Sequence, residues 1–202
     1  YIASDNTANA TNNILTVNSG LLTEQTIWIW DQSFNSGVGR YETRNNTSGF
    51  HIAPGQAFFV SASGASSTFA INENMQSHQS TDTFLRTENT RPEINITLSN
   101  GSEISDSNIF YIDGTTTGFD NGYDSSIFGG VVNELAIYTQ AVANGTGRNL
   151  GIQSLPDNDY ENMVIPVGII ATNGAEITIA ANATNLPAGI NVYLEDKDDS
   201  SF

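Results

Sequence analysis

The chain of 202 residues carries 22 acidic side chains against six Lys and Arg, a formal net charge of −16. A surface of that sign repels phosphate backbones and anionic headgroups, which argues against nucleic-acid and membrane-surface binding. There is no cysteine, hydrophobic residues make up only 38%, and charge only 14%. A core must therefore come from short apolar runs, and none approaches the roughly 18 residues of a membrane span.

Residues 1–19 are polar apart from Ile14, Leu15 and Val17, and read as a loop entering a strand near Asn13. Thr26-Ile27-Trp28-Ile29-Trp30 is a strand of β-branched and aromatic residues. The turn at 35–39 returns the chain as Arg40-Tyr41-Glu42-Thr43, and a further turn covers 45–49. Pro54-Gly55 breaks the chain before a strand over 56–62; 63–67 turns, and 68–71 follows as a strand. The polar stretch 72–82, which holds Met75 and His78, reads as a connection. Beyond it, 83–86 and 93–98 alternate as half-buried strands, Asn100-Gly101 turns, and 109–112 is a strand of buried type. It leads into an irregular loop, 113–124. Further strands are expected over 134–139, 149–153, 164–170, 175–180 and 191–196.

Many short strands separated by turn residues, with no sustained helical period, predict an all-β fold: an antiparallel β-sandwich, with a jelly roll as one form. Residues 1–202 read as one such module. The alternative is two small sandwiches, 1–75 and 80–202. The chain opens on Tyr1 and closes on Phe202 and reads as a piece of a longer polypeptide.

Two groups of residues are candidates for binding. Trp28 and Trp30 are two apart and so share one face of their strand, while Ile27 and Ile29 share the other. If the isoleucines are core, the tryptophans and Tyr41 form a ligand face on which a pyranose ring stacks, with Asp31, Gln32 or Arg40 beside it for hydroxyls. Phe50, Phe58 and Phe59 belong to the same aromatic set, which would equally serve as sandwich interior. In the loop, Asp113, Asp120 and Asp124 offer carboxylates for calcium, which takes six to eight oxygens. The spacing is not that of an EF-hand, and an Asn-Gly step flanked by aspartates is also what a tight turn needs. The acidic run Glu195-Asp196-Lys197-Asp198-Asp199 adds oxygens or is simply solvated. Catalysis finds little support: His51 and His78 lie in different segments, and there is no cysteine nucleophile, Gly-x-Ser-x-Gly elbow or phosphate loop.

The order of several motifs carries a resemblance. Ile27-Trp28-Ile29-Trp30-Asp31-Gln32 and Gly39-Arg40-Tyr41 come first, then Ile52-Ala53-Pro54-Gly55-Gln56-Ala57-Phe58-Phe59-Val60 and Phe84-Leu85-Arg86. The segment from Thr117 to Asp124 follows, then Leu150-Gly151-Ile152-Gln153-Ser154-Leu155-Pro156, Ile165-Pro166-Val167-Gly168-Ile169 and Leu194-Glu195-Asp196-Lys197. From about Thr26 onward the chain resembles the region preceding the C-terminal sorting tail of large exported proteins of Bacteroidetes, especially marine flavobacteria. The resemblance implies type IX secretion, an extracellular or cell-surface location, and neighbouring domains in a larger chain; it names no ligand. The expected function is a non-catalytic binding or adhesion module for polysaccharide. The alternatives are a structural spacer, or an accessory domain beside a catalytic or adhesive one.

Overall fold

A computed structural model describes residues 12–34, 39–46, 50–64, 68–76, 90–127, 134–145 and 147–197, together with the backbone of 2–4. The expected strand at 83–86, His78, Asp198, Asp199 and most residues of the early turns lie outside the described residues. The chain is all-β, with antiparallel and mixed sheets, and divides into two compact units. The first comprises Tyr1–Asn89 and Asn121–Tyr123; the second comprises Thr90–Asp120 and Asp124–Phe202. Among the described residues no helix is long and apolar enough to cross a membrane.

In the first unit β1 (Ile2–Ser4) pairs antiparallel with β4 (Phe50–Ile52). The strand expected near Asn13 is instead a single helical turn, α1 (Ile14–Val17). The reason is local: Asn13 caps it, its Oδ1 accepting the backbone N–H groups of Leu15 at 3.1 Å and Thr16 at 3.0 Å. A three-stranded sheet runs β3 (Arg40–Asn45), β2 (Thr26–Asp31), β5 (Phe58–Phe59). Ile27 and Ile29 face a core that also holds Ile14, Leu15, Ile52 and Met75. The expected strand at 68–71 makes no ladder. The side-chain amide of Asn18 takes the place of a neighbouring strand, donating to the Ala70 carbonyl (2.9 Å) and accepting from the Ala70 N–H (2.7 Å).

The second unit is one sheet in the order β11 (Val167–Ile170), β9 (Ala136–Thr139), β10 (Leu150–Leu155), β7 (Ile104–Tyr111), β6 (Glu93–Ser99), β12 (Thr178–Thr184). A short β8 (Ser125–Ser126) also pairs with β10. Every pairing is antiparallel except β7 with β10, which is parallel. A parallel neighbour needs a long return, and the chain between Tyr111 and Leu150 supplies it. The core face carries Ile94, Ile96, Leu98, Ile109, Tyr111, Ile137 and Leu155. On the opposite face Asn95 donates to Asn108 Oδ1 (3.0 Å), and Asn108 donates to Asp106 Oδ2 (3.0 Å). The ring of Tyr138 lies over Gly168, its cross-strand partner; a Cβ there would come within 2.3 Å of Tyr138 Cε2. Residues 191–196, expected as a strand, form none, and Val192, Tyr193 and Leu194 are exposed.

Candidate functional site

Alternation along β2 places Trp28 and Trp30 on the face opposite the isoleucine core. Antiparallel register then sets Trp30 opposite Tyr41, and Trp28 opposite both Thr43 and Phe59. The rings of Trp30 and Tyr41 meet edge to face at 4.9 Å and 70°, and those of Tyr41 and Phe59 at 5.6 Å and 85°. Trp30 is 43% exposed and Phe59 51%, so this is an aromatic cluster at the surface. Trp28 is only 3% exposed. Just before the strand the Gln25 N–H donates to Asn121 Oδ1 (3.3 Å), and Gly122 abuts the Cβ of Asn45, the partner of Thr26. Of the three residues expected at the ligand face, Trp30 and Tyr41 belong to the surface cluster and Trp28 is buried.

Trp30 is held in place on two sides. Its Nε1–H donates to Gln32 Oε1 at 2.9 Å, and its indole lies against Gly39, where a Cβ would sit 2.3 Å from Trp30 Cζ2. Gly39 adopts φ +77°, a backbone state that favours glycine. The polar neighbours are unequally available. Arg40 is buried in an ion pair with Glu42 at 2.8 Å, its guanidinium 4.0 Å from the centre of the Phe34 ring. Asp31 Oδ1 accepts the N–H (2.9 Å) and hydroxyl (2.7 Å) of Ser33. Gln32 is the exposed amide beside the indole. Phe50 and Phe58 turn to the core instead, Phe58 stacking near Phe69 with ring centres 6.2 Å apart.

In the second unit the loop carboxylates are tied to its own backbone. Asp124 is fully buried; its Oδ1 accepts the Ser154 N–H at 2.6 Å and its Oδ2 the Asp120 N–H at 2.7 Å. Asp120 in turn accepts the Thr116 N–H (2.5 Å) and the Thr116 hydroxyl (3.0 Å). Asp113 is exposed at the Gly114 turn. Among the described residues no three His, Asp or Glu side chains are grouped so as to hold a metal ion. The titratable pair in this unit is elsewhere: Tyr111 packs on Tyr160 with ring centres 4.6 Å apart. Burial, and then the neighbouring Tyr160, push the Tyr111 phenol up to about 12; burial and then Asp157 raise Tyr160.

Fold and site together define an all-β chain that carries, among the described residues, an aromatic cluster at its surface. Residues 4–201 match the family described as "Domain of unknown function (DUF8693)", and the chain belongs to that family. Neither the curated proteins nor the solved structures hold a match.

Proposed function

We propose that the chain is a non-catalytic binding module that presents Trp30, Tyr41 and Phe59 to a polysaccharide outside the cell. The observation that carries this is the row of three aromatic rings on the face opposite the core, Trp30 and Phe59 exposed and Tyr41 half-buried between them, with Trp30 fixed by Gln32 and Gly39. A rigid aromatic loses little entropy on binding, and a polar group beside it orients the ligand. Since neighbouring rings stand at 70° and 85°, they offer separate stacking faces rather than one flat platform. That geometry suits one or two sugar rings of a soluble chain better than a crystalline surface. The net charge of −16 favours a neutral glycan over an anionic one. Export by the type IX route rests on the sequence resemblance alone. Calcium bound near Asp113, Asp120 and Asp124 is a separate proposal, supported by the carboxylate content of the loop.

A second reading, an accessory domain packed against a neighbour, draws on the exposed Ile104, Val164 and Tyr193 of the second unit. Fluorescence titration separates the two, since the chain has just two tryptophans, one buried and one exposed. A soluble neutral β-glucan should blue-shift the Trp30 emission and raise the unfolding midpoint by several degrees near saturation. Alginate should do so less, and Trp30→Ala should abolish both effects. Emission and midpoint that ignore every glycan, with and without calcium, would remove the binding reading and leave the accessory one.

A further inference from the structure

The two edges of the second unit's sheet are unlike. β11 has four residues, follows Pro166 directly and carries Gly168 under a tyrosine ring. β12 runs seven residues, Thr178-Ile179-Ala180-Ala181-Asn182-Ala183-Thr184, in unbroken register with β6. It has no proline, no bulge and no charged side chain, the devices by which edge strands are usually kept from pairing with another chain. Six of its seven residues are exposed, and among the described residues its only strand partner is β6.

We propose that β12 is a self-association edge, through which two copies of the chain pair antiparallel about a twofold axis at Ala181. That axis sets Thr178 opposite Thr184 of the second copy, Ile179 opposite Ala183, Ala180 opposite Asn182, and Ala181 opposite itself. Each strand end therefore gains a threonine pair, a favourable cross-strand combination, and no like charges meet. Glu176, the nearest acid before the strand, falls opposite Leu186. The contact is isologous, so it closes at two copies and uses the β12 edge of each. A second copy is the occupant argued from the strand itself: about Ala181 the sequence is self-complementary, and none of the chain's charged side chains lies within the paired segment. The remaining charge repels at longer range, so screening should promote the dimer, the Debye length falling from about 10 Å at 0.1 M salt to about 3 Å at 1 M.

The chain lacks cysteine, so a single introduced one can cross-link only to another copy. Under mild oxidation Ala181→Cys should form a disulfide dimer several-fold faster than Ser102→Cys, which lies in the exposed β6–β7 turn. Sedimentation of the unmodified chain should show a monomer–dimer equilibrium that shifts toward dimer as NaCl rises. Ala181→Lys, which puts two ammonium groups on the axis, should return it to monomer with an unchanged far-UV spectrum. A monomer at every salt and concentration, with Ala181→Cys no faster than Ser102→Cys, overturns the proposal. So does a dimer that folded Ala181→Lys leaves intact. If Ala181→Lys fails to fold, the cysteine comparison decides.

Discussion

Replacing Asp124 with alanine isolates what a buried carboxylate does in the 113–124 loop. In the native chain it accepts two backbone N–H groups, those of Ser154 and Asp120, at a site without solvent exposure. Alanine leaves both donors without that acceptor, and an unsatisfied buried donor costs about 1–3 kcal/mol. Two of them amount to roughly 2–6 kcal/mol, offset in part by relief from burying a charge. A net loss of about 2–4 kcal/mol is expected, with Asp124→Asn falling between because the amide oxygen can keep one of the two bonds. Asp113→Ala, at an exposed turn, should stay within about 0.5 kcal/mol of the native chain. Urea unfolding followed by far-UV circular dichroism, in chelator and again in calcium, gives each value from the midpoint at constant slope. A loss below about 1 kcal/mol for Asp124→Ala would refute the backbone-pinning account. A loss that appears only with calcium present would transfer the role of Asp124 to metal binding.

Two further outcomes follow from the same geometry. The native Tyr111 phenol holds its proton to about 12 against an ordinary 10.0, so between those values the folded state keeps a proton that the unfolded chain has lost. Stability conferred by that pair is fully present below pH 10 and should fall as pH rises through the window. Tyr111→Phe should flatten that decline in urea midpoints measured from pH 8 to 12, and equal slopes in the two proteins would sink the assignment. Gly39→Ala forces a side chain into φ +77° and into the Trp30 ring, at a cost of about 1–3 kcal/mol for the backbone alone. Its Trp30 emission should red-shift as the indole is pushed outward; an unchanged spectrum would mean that Gly39 does not seat the ring.

What the sequence disclosed follows the range of the forces involved. Alternation along 26–30 is local, and it correctly opposed Ile27 and Ile29 to Trp28 and Trp30. It could not reveal that Trp28 is nonetheless buried, because alternation along a strand says nothing of what packs on either face. Phe59 belonged to the aromatic set, but its place beside Tyr41 depends on β5 pairing with β2, which composition does not encode. The bond from Thr116 to Asp120 spans four residues and has the look of a turn; that from Ser154 to Asp124 spans thirty and has no local signature. The helical turn at 14–17 was hidden by its apolar residues, although Asn13 immediately before it is a standard capping residue. At 68–71 the strand-like composition was real, yet a single asparagine side chain satisfied the Ala70 backbone that a ladder would have used.

The loan of Asn121–Tyr123 to the first unit bears on the order in which the chain is made. Synthesis runs from the N-terminus, and units generally begin to fold as they emerge. A nascent chain that has reached only Asn89 holds β2, β3 and β5 but lacks Asn121–Tyr123, which come after β6 and β7 in the sequence. Until residue 123 emerges, Gln25 lacks its bond to Asn121 and Asn45 its contact with Gly122, and β6 and β7 must be synthesised first. The first unit is therefore completed late, from within the sequence of the second. An expression boundary placed between Asn89 and Thr90 would cut through what contact defines as one folded body.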